Sequence, residues 1–191
     1  MSSSGIIRWG GIAAMLGGAP WVVWGLLGRV IPYAVGGPLE GGLLRLSAAL
    51  LLLAALLTLG GLVGLHALQG GHYGRIGRAG FYTAAVGLLA AALAALVLLM
   101  GSEALLWLLS SVGSLIVLVG LVLYGAATLQ ARVLARWCGI GLIVVPPIAF
   151  YMHGKIFYGS LALFGVLWVA LGYVLWSCRG TSTKQQPSRV R

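Results

Sequence analysis

Long apolar stretches with almost no charge recur along this chain, at about 9–28, 44–68, 80–101, 104–127, 137–152 and 157–177. A hydrocarbon core about 30 Å thick takes roughly 20 apolar residues of helix to cross. The stretches are apolar on every side rather than along one stripe, the pattern of helices surrounded by lipid. Backbone N–H and C=O groups have no water partners in hydrocarbon, so each run is expected to be helical. Composition agrees: 61% of the residues are hydrophobic and 7% are charged, against roughly 25% charged in a soluble domain. The expected fold class is all-α, a polytopic transmembrane bundle of about six helices. It forms one domain over residues 1–178, followed by a basic polar tail at 179–191.

The net charge is +10, from twelve Lys and Arg against Glu40 and Glu103. The basic residues lie scattered between apolar runs rather than clustered on one segment. That is how charge that sets membrane orientation is distributed, not how a nucleic-acid surface is built. If the N-terminus is inside, Arg8, Arg75, Arg78, Arg132, Arg136, Arg179, Lys184, Arg189 and Arg191 face the cytoplasm. Only Arg29, Arg45 and Lys155, with both glutamates, then face outward. The positive-inside bias therefore predicts both termini in the cytoplasm. Anionic lipid headgroups are the expected partners at that face. Trp9, Trp137 and Trp176 fall near the same face and Trp24 and Trp107 near the other, while Trp21 and Trp168 lie deeper as packing residues. Arg8, the first apolar run and Ala34-Val35-Gly36 loosely resemble a secretory leader, but the length and the interrupting Pro and Trp favour a spanning helix.

The second and fourth runs end alike. Gly61-Leu62-Val63 precedes Ala67-Leu68-Gln69, and Gly120-Leu121-Val122 precedes Thr128-Leu129-Gln130. Each is followed by a basic connection. A duplicated helical hairpin is one reading. Chance similarity between Gly- and Leu-rich helices is the preferred one, because low-complexity apolar sequence aligns easily. Residues 120–139 carry one further pattern, an apolar helix with a small-residue end leading into Arg132-Val133-Leu134-Ala135-Arg136-Trp137. This resembles an Arg-x-Leu-Pro-Arg-Trp turn in uncharacterised multi-pass membrane proteins of bacteria, with Ala135 in place of the proline. The resemblance implies a bacterial membrane protein and brings no activity, cofactor or site.

Few residues suggest chemistry. Cys138 and Cys178 stand forty positions apart with no Cys-x-x-Cys pair, and both fall near the cytoplasmic face, where thiols stay reduced. His66, His72 and His153 lack zinc-ligand spacing, and no cofactor-binding motif is present. No carboxylate lies well inside an apolar run, which argues against a proton-coupled carrier. Pro146-Pro147 should kink or break the fifth helix and free the carbonyls of Leu142 and Ile143, for neighbouring helices or for a solute. That run is also short. Extending it back to Val133, with Arg136 reaching the headgroups, would restore its length. Ser110 and Ser114 share a helix face with Gly113 and Gly120 nearby. Together with Gly60/Gly64 and Gly165/Gly172 they read as close helix contacts rather than as a polar path. Glu40, Glu103, His153 and Lys155 are the candidate polar cluster at the outer face, on three separate connections.

These features favour a non-catalytic structural, sensory or accessory membrane protein, with a membrane-protein partner or a second copy of itself as its company. A transporter of small solutes or lipid-related molecules, using the Pro146-Pro147 break, is the alternative. A membrane-embedded enzyme ranks third.

Overall fold

The computed structural model describes residues 3–30, 42–70, 74–100, 103–152 and 160–177. They form six helices: α1 (Ser3–Val30), α2 (Gly42–Gln69), α3 (Gly74–Leu99), α4 (Glu103–Ala131), α5 (Arg136–Met152) and α6 (Ser160–Ser177). The fold is an all-α bundle, with the helices in the expected order. The helices outrun several apolar runs, because hydrogen bonding continues into the polar flank after the hydrocarbon ends. α3 begins six residues before the expected 80 and takes Arg75 and Arg78 into its first turns. All but α5 are long and apolar enough to cross a membrane. α5 has 17 residues, about 25 Å of helix.

Each helix packs against the next in sequence, and α6 closes the ring on α1, with a lesser contact between α2 and α6. Glycine and alanine make the closest seams. α1 is held on two sides by antiparallel neighbours. Gly10, Ala14 and Gly17 meet Gly64, Gly61 and Thr58 of α2, while Gly11, Gly18 and Gly25 meet Gly172, Gly165 and Ala162 of α6. A β-carbon at Gly18 would stand 2.5 Å from the Gly165 carbonyl oxygen. Lipid tails are as apolar as leucine, so helix association in a bilayer depends on close van der Waals contact, and small residues permit it.

The α3–α4 seam repeats the α1–α2 register. Gly80, Ala84 and Gly87 have the spacing of Gly10, Ala14 and Gly17. Ala84 lies against Gly120 as Ala14 lies against Gly61, and Gly87 against Val117 as Gly17 against Thr58. The likeness between the ends of α2 and α4 thus extends to the helices that precede them and to how each hairpin packs. Uniform Gly- and Leu-richness does not by itself produce a shared register.

The antiparallel seams gather Arg8, Arg75, Arg78, Arg132 and Arg136 at one end of the bundle. Gly10 is level with Gly64, Gly80 with Tyr124, Gly125 with Gly139 and Gly11 with Gly172. Trp9, Trp137 and Trp176 belong to this end and are about half exposed or more. Trp21 and Trp168 are buried.

At this end α2 and α4 are each followed by a residue of positive φ. Gly70, at φ 53°, caps α2 by donating its N–H to the His66 carbonyl at 3.2 Å, a left-handed helix stop. Arg132 has φ 52°, a conformation uncommon for a residue with a β-carbon. It turns the chain after α4, and Leu134 tucks under the turn, 8% exposed. α5 therefore does not extend back to Val133. It begins at Arg136, because reversing direction to lay Gly139 against Gly125 uses up residues 132–135.

Candidate functional site

Pro146 and Pro147 both lie inside α5, which runs as one helix from Arg136 to Met152. The pair does not end the helix. Pro146 and Leu142 are buried, Pro147 and Ile143 half-buried. α4 covers this stretch at Gly125, where an added β-carbon would meet Leu142 and Ile143 at 3.0 and 2.9 Å. The region freed of helical hydrogen bonds by the prolines is thus packed against a neighbouring helix. One turn on, the Ser160 hydroxyl of α6 donates to the Ala149 carbonyl at 2.8 Å. That side-chain bond crosses between helices where α5 has just passed its prolines.

Of the outer polar cluster, Glu40, His153 and Lys155 lie outside the described residues. Glu103 opens α4, at the opposite end of that helix from Arg132. Cys138 is fully buried at the start of α5, and Cys178 lies outside the described residues. Among the described residues no group of three or more His, Cys, Asp or Glu side chains comes together. Ser114 turns its hydroxyl back onto the Ser110 carbonyl of its own helix, at 2.6 Å.

Two further interhelical polar contacts, like the Ser160–Ala149 bond, were not foreseen from the residues. Trp21 Nε1 of α1 donates to Thr58 Oγ1 of α2 at 3.2 Å, with both residues buried. Gln69 Nε2, at the last residue of α2, donates to Thr128 Oγ1 of α4 at 2.8 Å. Thr128 in turn donates to the Tyr124 carbonyl at 2.8 Å. A hydroxyl accepting from one helix and donating along another fixes both in register. The only available signal was that Gln69 and Thr128 close the two similar helix ends. Gln69 reads as the start of a polar connection, yet it is fully buried. His66, one turn earlier, stacks on Phe81 of α3 with ring centroids 4.0 Å apart.

The interior is filled by large side chains. Trp168, Tyr124, Phe164, Leu121, Leu142 and Leu171 are all fully buried, and Phe164 makes edge contacts with Trp21 and Trp168 at 5.4 and 6.2 Å between centroids. Among the described residues Trp168 Nε1 has no hydrogen-bond partner. Among the described residues, two apolar grooves open to the outside, one of about 350 Å³ between α5 and α6 and one of about 300 Å³ between α1 and α2. No family model, curated protein or solved structure matches this chain.

Proposed function

We propose that this chain is a non-catalytic integral membrane protein, a structural or accessory component of a bacterial inner membrane with both termini in the cytoplasm. The observation that carries the reading is the filled interior. Trp168, Tyr124 and Phe164 are fully buried members of one apolar core, which supports a bundle packed with side chains rather than one lined for a solute. The seams bring backbone against backbone through glycine and alanine, which favours a fixed arrangement of neighbouring helices. The outer surface is a continuous supply of apolar side chains, such as Leu16, Leu53, Leu89, Leu115 and Val166, each about half exposed or more. A water-soluble protein does not present such a surface, and a bilayer covers it without cost. The cationic end supports the orientation through the positive-inside bias.

The test is flux. The full chain is reconstituted into vesicles, and stopped-flow entry of water, glycerol, ammonia and potassium is followed. The expected rates are those of protein-free vesicles. Saturable, protein-dependent entry of any of them overturns the reading in favour of transport.

A further inference from the structure

We propose that the groove between α5 and α6 is a binding site for one anionic diacyl phospholipid, with an acyl chain along the groove and the phosphate held by Arg132 and Arg136. The inference is independent of whether the protein transports anything.

The groove begins at Trp137 and is walled by Val145 and Ile148 on α5 and by Leu163, Val166 and Leu167 on α6, with Gly141 and Ala170 also lining it. Its lining from Trp137 to Ile148 follows α5 for about 16 Å. It exists because α5 and α6 make the loosest pairing between successive helices in the ring. At its far end the two helices are tied by the Ser160–Ala149 bond. The groove is open to the outside, and its Trp137 end is the one that adjoins Arg132 and Arg136 in sequence, both exposed.

Three observations choose the occupant. A transmembrane helix docks where small residues let backbones approach. Here Gly141 and Ala170 are the small residues, one on each helix. The bulkier Trp137, Val145, Ile148, Leu163, Val166 and Leu167 make up the rest of the lining, which holds a helix off and leaves room for a thin, flexible chain. The charge at the mouth is the second. Trp137 lines the groove, Arg136 precedes it in sequence, and Arg132 opens the same turn. The described acidic residue, Glu103, lies at the other end of α4, so the two guanidiniums face the headgroup layer without a carboxylate from α4 or α5. Paired arginines match a phosphate diester. Length is the third. α5 falls short of the hydrocarbon thickness of about 30 Å, which draws headgroups inward at this helix and brings them level with Arg136.

The experiment is native mass spectrometry of the full chain, delipidated in detergent and titrated with phosphatidylglycerol, with phosphatidylcholine of the same acyl chains, and with inorganic phosphate. The expected result is one phosphatidylglycerol per chain, bound about tenfold more tightly than phosphatidylcholine, with phosphate alone far weaker than either. Arg132→Asn with Arg136→Gln should remove the preference and leave the two lipids equal. Asn suits the left-handed position at Arg132. Gly141→Leu should weaken both lipids alike. Since an added β-carbon there would come within 2.7 Å of Leu167 Cδ1, Ala170→Leu, on the opposite wall, provides the same blockage if the first variant does not fold. A preference that survives in the arginine variant overturns the proposal, as does undiminished lipid binding in a folded groove variant. So does a dimer that either groove variant converts to monomer, because a second copy would then be the occupant. Phosphate binding as tight as phosphatidylglycerol would show an anion site without a lipid and would also overturn it.

Discussion

Gly120 shows most plainly how single residues hold this bundle. A β-carbon there would strike the backbone of Ala84, which has no flexible end to yield. Gly60 differs, since its added β-carbon would meet only the Ala13 methyl, at 3.1 Å. Gly120→Ala should therefore destabilise the protein by about 1–3 kcal/mol, the usual range for overpacking, and Gly60→Ala by much less. Thermal unfolding in a fixed detergent, compared at one temperature, separates the two. Equal losses would mean that α3 and α4 can part freely. The Gln69–Thr128 bond makes a second prediction at this scale. Gln69→Leu and Thr128→Val, alone and together, should give a coupling of roughly 0.6 to 1.7 kcal/mol, the range for side-chain hydrogen bonds between membrane helices. Additive losses would show that the contact carries no energy. Cys138, fully buried, should resist a thiol reagent in the folded protein and react on denaturation. A quantitative bridge to Cys178 would contradict the reduced state expected of it.

Among the elements, α5 departs furthest from a plain spanning helix, being short and carrying two prolines. Replacing both, Pro146→Ala with Pro147→Ala, should leave the protein folded and equally or more stable, because lost helical hydrogen bonds return. Circular dichroism and thermal unfolding check the fold, and complementation of a deletion strain checks the role. A stable double variant that fails to complement would favour transport through α5. The order and approximate span of all six helices were legible in the sequence, because apolar length alone dictates a helix in lipid. Their ends were not. Whether Arg75 and Arg78 belong to a connection or to a helix turns on hydrogen bonding that hydropathy does not report. The stop before α5 was hidden for a related reason, since it depends on a left-handed Arg132, a residue with no sequence signature for that conformation. The close seams were legible in Gly60/Gly64, Gly113/Gly120 and Gly165/Gly172. Which seam met which partner was not, because the choice between α2 and α6 at Gly10 and Gly11 is made by tertiary packing.

At the scale of the whole molecule, the proposed role rests on the close seams, the polar contacts between helices and the fully buried core. A candidate site was scarcely legible, for a physical reason. The polar groups of the expected outer cluster lie outside the described residues but for Glu103, which opens α4. The buried polar groups fasten helices together and look like ordinary Thr, Gln and Trp in sequence. Orientation remains a prediction from Arg8, Arg75, Arg78, Arg132 and Arg136 at one end. Reporter fusions should place residues 75–78 and 132–136 in the cytoplasm and Glu103 outside, and a tail at 180–191 found outside would contradict it. The central claim is that no aqueous path runs through the bundle, and interior thiol labelling tests it most directly. In a background without native cysteines, Leu65→Cys, Leu121→Cys and Leu171→Cys, each at a fully buried position, are exposed in sealed vesicles to a charged thiol reagent from either side. The account predicts no labelling at any of the three until the protein is denatured. Labelling of the folded protein at any of them would show a hydrated interior and contradict the account.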